Sequence, residues 1–410
     1  MKYIFPVMLF SLCYQYVHVN YLVENFDYMG YISNKFTFFD VFTTCIFLLL
    51  PLVVKPKKIL FLDIAFSIFY FLLYIPIIIT FLNSYENTLE IIYNQSFFVL
   101  GFILMFYIPK IKFIGLYFQK IKPLKFRYLI YICLIFIALL LFQYRNSYKI
   151  VSFDDVYKQR SDSQQDSVFF GYLTLWITYF FGPLLLANGL IKKNIFVTIF
   201  GVLSVVFIYG IGGSKISLFI PFLIIGIFFI YNKGYSIFSF LSYSFTGIIL
   251  FVLSISKDFL MISSVILMRT FGIAGLLTFQ YNEFFKKNDL TYFSHVNIVN
   301  FFSRNYPYDK ALGFVVSSYY GADSDVNSNA NFLATDGLAS FGLVGVLIVS
   351  VLLGLYFSFT KTQVKEGNKL IFGIMIVPFS FIVLNVGLFT SILSGGFLFL
   401  NIYYLFFKSE

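Results

Sequence analysis

The sequence predicts an all-helical polytopic membrane protein with about twelve transmembrane helices. Three observations carry this expectation. Of 410 residues, 60% are hydrophobic and only 12% charged, with a mean hydropathy of +0.86; water-soluble globules are not built this way. The apolar residues fall in runs of roughly 20, the length that crosses a bilayer core. The basic residues gather in alternate short connectors, which all fall on one side, as the positive-inside rule requires.

Taken in order, the first run (3–22) follows Lys2 and lacks a small-residue cleavage site, so it reads as a membrane helix and not a removed leader. Runs 36–55 and 59–82 flank the basic connector KPKK (55–58), and runs 92–109 and 127–144 flank Lys110 to Arg127. Runs 169–190, 195–211, 216–231 and 236–256 follow, then 332–357, 370–386 and 389–407. With the amino terminus inside, 17 basic residues and two acids, Glu366 and Glu410, fall on the inner side. Both termini are then cytoplasmic, in a single transmembrane domain spanning 1–410. Topology therefore accounts for the net charge of +10, and nucleic acid is not implied. Cys13, Cys45 and Cys133 lie inside apolar runs and suggest no disulfide framework. Two histidines, His18 and His295, argue against a zinc site.

The segment 259–281 is long enough to span, but Arg269 stands at its centre, where a cation costs about 2.5–3.5 kcal/mol. It is expected instead as a helix lying at, or dipping into, the outer face. Two external segments are then large, 145–168 and 257–331, both expected to carry short helices. Polar material concentrated on one side points to function there.

The candidates follow from that placement. In the first loop Arg160 precedes Gly171 by the spacing Arg-x10-Gly. An arginine fork suits phosphate or diphosphate, and the glycine allows a tight helix start or close packing. A loop arginine paired with Asp162 or Asp166 explains the first equally well. Arg269 is a functional candidate because it is isolated in an apolar segment, against the alternative of a side chain snorkelling to the surface. His295 is the side chain of the second loop suited to proton transfer near neutrality, although a loop histidine with one structural bond is the commoner case. Arg304 and Lys310 interleave with Tyr306 and Tyr308, a pattern that fits a sugar–phosphate ligand or an ordinary interfacial belt. Lys215, in GIGGSK, is placed at an external turn facing the mouth of the bundle. Asn329, Asn331 and Asp336 lie where the tenth run begins, and a carboxylate there needs a partner, for which Arg269 or Arg160 are the expectation.

These residues carry a resemblance. RTFGIAG, QYNEFF (with Tyr281), the Ser-His of the second loop and NANFLATDGLASFGLVG resemble the Wzy-type O-antigen polymerases, and Arg160-x10-Gly171 resembles an arginine motif of their external loops. Arg304 departs from that spacing, since Gly313 follows after only eight residues. The resemblance implies a GT-C-like fold in the bacterial inner membrane, with an active site facing the periplasm. It implies metal-independent glycosyl transfer without a cofactor, from a growing glycan on undecaprenyl diphosphate to a further lipid-linked repeat unit. The partners implied are that lipid-linked oligosaccharide, membrane lipid and a chain-length regulator. Arg160, Arg269 and Lys215 would stabilise the leaving diphosphate, and His295 or Asp336 would act as base. Gly171, Tyr281, Arg304, Asn329 and Asn331 would line the substrate site. An O-antigen ligase, a lipid-linked oligosaccharide flippase and a polysaccharide-binding scaffold remain open alternatives.

Overall fold

The computed structural model describes residues 3–111, 126–150, 168–213, 215–256, 259–321 and 326–406. Among these the secondary structure is helical, without strands. Every expected apolar run is mainly helical, two of them with a break. In chain order they are α1 (Ile4–Val17, prolonged by a π turn, His18–Leu22), α2 (Phe38–Val54), α3 (Leu60–Ser84), α4 (Thr88–Lys110) and α5 (Arg127–Tyr144). Next come α6 (Phe169–Ile191), α7 (Ile195–Gly212), α8 (Ile216–Asn232), α9 (Ile237–Ile255) and α10 (Leu260–Phe285). The short α11 (Asn297–Ser303) and α12 (Leu312–Tyr319) lie in the second loop, before α13 (Leu333–Gln363), α14 (Lys369–Val383), α15 (Leu388–Ser394) and α16 (Phe397–Phe406). Eight of these helices are long and apolar enough to cross a membrane, or nine if α15 and α16, bent by 56° at their junction, count as one.

The bundle is organised around α3. Its sequence is apolar on all sides, and a helix of that kind is stable only when enclosed; α3 is buried throughout its membrane-length window. Ring contacts give the direction of its neighbours. Tyr3 meets Phe238 at 5.3 Å, and Ser242 Oγ donates to the Pro6 carbonyl at 2.7 Å, so α1 and α9 run side by side in one direction. Phe66 and Phe71 pack on Phe238 and Phe245, so α3 runs with them. Val17, Ser84 and Ile255 therefore mark one end of the bundle, the site end. Lys55, Lys110 and Lys361 mark the other, the lysine end, where Lys361 Nζ donates to Pro109 O at 2.7 Å.

α10 has the length and composition of a crossing helix, yet it starts and finishes at the site end. Phe259 N donates to Ile255 O at 3.0 Å, which seats the start of α10 on the end of α9. At its other end Glu283 accepts from Tyr85 Oη at 2.6 Å, and Lys286 bridges Glu283 and Glu90 at 2.6 and 2.7 Å. Between these points Phe271 packs on Phe10 and Phe245, at 6.0 and 5.6 Å. The helix lies obliquely and dips into the bundle.

The expected span 332–357 is not one helix. At Phe341 and Gly342 the backbone leaves helical geometry, and Gly342 has φ +59° and ψ −145°, a region nearly confined to glycine. The chain then turns back on itself. A Cβ on Gly345 would collide with the Gly337 carbonyl, and one on Gly337 would lie 3.2 Å from Val346 Cα. Residues 333–340 thus form a short arm packed antiparallel against residues 343–363. Hydropathy merges the two because both arms are apolar. The long arm, about 31 Å at 1.5 Å per residue, still has membrane length. Residues 331–340 are all buried, so the broken backbone is sheltered by protein.

Candidate functional site at the broken helix

The short arm of α13 begins at a cap. Asn331 Oδ1 accepts from the Leu333 and Ala334 amides at 3.1 and 3.3 Å, satisfying donors that a helix start leaves orphaned. Its Nδ2 donates to Thr278 Oγ1 at 2.8 Å and to Ala274 O at 3.4 Å, both on α10. Asn331 therefore bolts the arm to α10 with both side-chain polar atoms bonded to protein.

Five residues on, Asp336 is 1% exposed. Its Oδ1 lies 2.9 Å from His295 Nε2, and its Oδ2 accepts the amide of Leu388, the first residue of α15. Gly387 lies so close that a Cβ there would sit 2.8 and 2.9 Å from the two carboxylate oxygens. The partner of Asp336 is thus His295 and not the expected Arg269. Arg269 stands exposed on α10.

The break in α13 also positions His295. Ending the helical ladder leaves the Ala339 carbonyl without its intrahelical donor. Thr291 takes that place, its N–H 2.7 Å and its Oγ1 3.0 Å from Ala339 O. Thr291 Oγ1 is also 2.9 Å from His295 Nδ1. An ionised Asp336 can only accept, so Nε2 carries a proton toward it. Two proton arrangements then satisfy the chain. In one, Thr291 donates to Nδ1 and the ring is neutral. In the other, Thr291 donates to Ala339 O, accepts from Nδ1–H, and the ring is cationic beside its carboxylate. Hydroxyl, imidazole and carboxylate stand in series, but Thr291 is 1% exposed, so it orients the ring and is not an accessible nucleophile.

The two residues before Ser294 are strained. Tyr292 and Phe293 have φ of +47° and +64°, left-handed values that cost a side-chain-bearing residue about 1–3 kcal/mol each. Phe293 N donates to Ser340 Oγ at 3.1 Å, and its ring meets Phe341 at 5.5 Å and Phe389 at 5.4 Å. Three rings from the loop, the break and α15 hold the bend.

The other sequence candidates distribute around this end. Tyr281 is fully buried, and its Oη donates to Ser328 O at 3.1 Å, holding the chain that leads into Asn331. Asn329 is exposed, and a Cβ on Gly313 would come within 3.0 Å of its Oδ1. Arg304 is exposed, with φ +50°, where α11 ends. Tyr306 and Tyr308 bond to backbone carbonyls at 2.8 and 2.6 Å, and burial pushes both phenols up to about 12, so they remain neutral donors. Gly171 is exposed on α6, and no described atom lies within 4 Å of a Cβ built on it, so the close packing expected there is not found. Arg160 and the side chain of Lys215 lie outside the described residues. The structure thus joins His295 and Asp336 directly, with Asn331 and Tyr281 supporting their scaffold. Thr291, Ser340 and the Gly387–Leu388 backbone complete the site; of these only Ser340 falls within a motif quoted from the sequence.

No family model matches this chain, and neither a curated protein nor a solved structure matches it.

Proposed function

We propose that the chain is a lipid-linked oligosaccharide polymerase of the Wzy type, with twelve spans in a GT-C-like arrangement and both termini in the cytoplasm. The observation that carries this reading is the His295–Asp336 pair, 2.9 Å apart, at the end of the bundle that bears the second loop. In the proposed reaction the hydroxyl of an incoming repeat unit attacks the anomeric carbon of the growing glycan. The bond from that carbon to the undecaprenyl diphosphate oxygen breaks, and the hydroxyl proton passes to His295. Asp336 holds Nε2–H and leaves Nδ1 as the base. Thr291 can release Nδ1 because its hydroxyl has a second acceptor, Ala339 O, at 3.0 Å. Charge developing on the diphosphate is met by fixed cations, for which Arg160, Arg269 and Lys215 are the candidates. A ligase acting on another acceptor would use the same chemistry.

One observation favours a different class. Discontinuous helices, of which the broken α13 is one, are how transporters build their binding sites, so a flippase is the second reading. Complementation separates the two. In a strain whose own polymerase is deleted, the unsubstituted gene should restore the polysaccharide ladder. His295→Ala and Asp336→Asn, at equal expression, should collapse it to a single repeat unit, since positioned acid–base catalysis is worth about 10²–10⁴ in rate. A ladder unaffected by both substitutions refutes the polymerase reading. Repeat units trapped on the cytoplasmic face would indicate the flippase.

A further inference from the structure

A second polar feature lies at the lysine end, across the bundle from His295 and Asp336. Where the connector between α2 and α3 meets the ends of α4 and α13, there is a cavity of about 380 Å³. Lys55, Lys57, Lys58, Lys110 and Lys361 all line it, over an apolar floor that includes Leu62 and Phe106. No acidic side chain lines it among the described residues.

Two of the five lysines are committed to the protein. Lys55 is buried, pairs with Asp63 and lies 4.8 Å over the Tyr3 ring. Lys361 is held by Pro109 O. Lys57, Lys58 and Lys110 are exposed and turn their charge on the same small volume. The positive-inside rule explains why lysines occur at this end of a membrane protein. It does not explain why five, contributed by three separate stretches of chain, converge on one cavity. Lys193, Lys233 and Lys365, which occupy separate connectors, satisfy the same rule without doing so. Ammonium groups crowded around a common space repel one another, and an anion seated among them converts that repulsion into attraction. Lysine meets phosphate as a compact charge with three donors. The floor is apolar and the neighbouring Val53 is 81% exposed, so a phosphate carrying an apolar tail also finds a surface for that tail.

We propose that this cavity is a phosphate-binding site. Its ligand is a phosphate ester, either the headgroup of an anionic bilayer lipid or a soluble phosphate, and the assignment does not depend on the glycosyl-transfer reading. The test uses full-length protein purified in neutral detergent and titrated separately with tetraoleoyl cardiolipin and with inorganic diphosphate. Lys57→Gln, Lys58→Gln and Lys110→Gln are combined in one variant. Lys193→Gln, Lys233→Gln and Lys365→Gln form a control that removes the same charge from the same end. The cavity variant should bind at least tenfold more weakly, and the control within twofold of the unsubstituted protein. Replacing the three cavity lysines by arginine should preserve binding. Loss confined to cardiolipin assigns a lipid headgroup, and loss confined to diphosphate assigns a soluble ligand. The proposal is overturned if the two variants weaken equally, or if neither probe binds the unsubstituted protein. Matching thermal unfolding of all variants excludes a folding defect, as expected for three exposed side chains.

Discussion

Asp336 serves three masters: His295, the Leu388 amide and the tight approach of Gly387. Removing the carboxylate strands the buried Leu388 amide and a half-buried imidazole, and an unsatisfied buried donor costs about 1–3 kcal/mol. Asp336→Ala should therefore lower the unfolding temperature of detergent-solubilised protein clearly more than Asp336→Asn, which keeps an acceptor. Gly387→Ala puts a methyl where the carboxylate lies, and overpacking of this kind costs about 1–3 kcal/mol. It should abolish the His295–Asp336 contact, with activity falling as far as in Asp336→Asn. An active Gly387→Ala protein would mean that the pair is dispensable. Thr291→Val should impair function and Thr291→Ser should restore it, because the hydroxyl and not the methyl faces Nδ1. His295 and Asp336 were each legible in the sequence, as a lone titratable loop residue and a carboxylate inside an apolar run. Their pairing was not. They are 41 residues apart, and an arginine was the more obvious counter-charge for an acid. The Leu388 amide was beyond reach altogether, since a backbone donor leaves no mark on residue identity.

At the scale of elements, hydropathy located all twelve apolar runs and missed the reversal inside one of them. A window average records how apolar a stretch is and not which way it points, so two antiparallel apolar arms read as one helix. The signal available was Ser-Phe-Gly at 340–342, and Gly342 takes a backbone conformation that other residues adopt at a cost of about 1–3 kcal/mol. Gly342→Ala should destabilise the protein by about that amount while Gly226→Ala, which no described neighbour crowds in mid-helix, should be neutral or slightly stabilising. Comparable unfolding temperatures for the two would contradict the hairpin.

Across the whole molecule, charge asymmetry and the course of α10 make one statement. Because α10 returns to the end where it starts, the long arm of α13 still carries Lys361 to the end of the bundle that holds Lys55 and Lys110. The expectation that 259–281 does not cross rested on Arg269; the contacts at Ile255 and Glu90 put both ends of α10 at the same end of the bundle. Single cysteines at Ser256 and Lys287, in a background without Cys13, Cys45 and Cys133, should react with an impermeant maleimide from the same side of sealed vesicles. Labelling from opposite sides would make α10 a crossing helix and reverse the placement of everything after it.

The reach of the Leu388 amide back to Asp336 also bears on biogenesis. A ribosome delivers α15 after α13, so the carboxylate of Asp336 is already made, unmatched on one side, while α15 is still being synthesised. The site is finished only when α15 arrives. Until then the short arm of α13 holds a buried acid whose second oxygen has no donor from α15, and a chain stopped before Leu388 would be left in that condition. The segment that carries Leu388 is in this sense the latch on a cradle made before it.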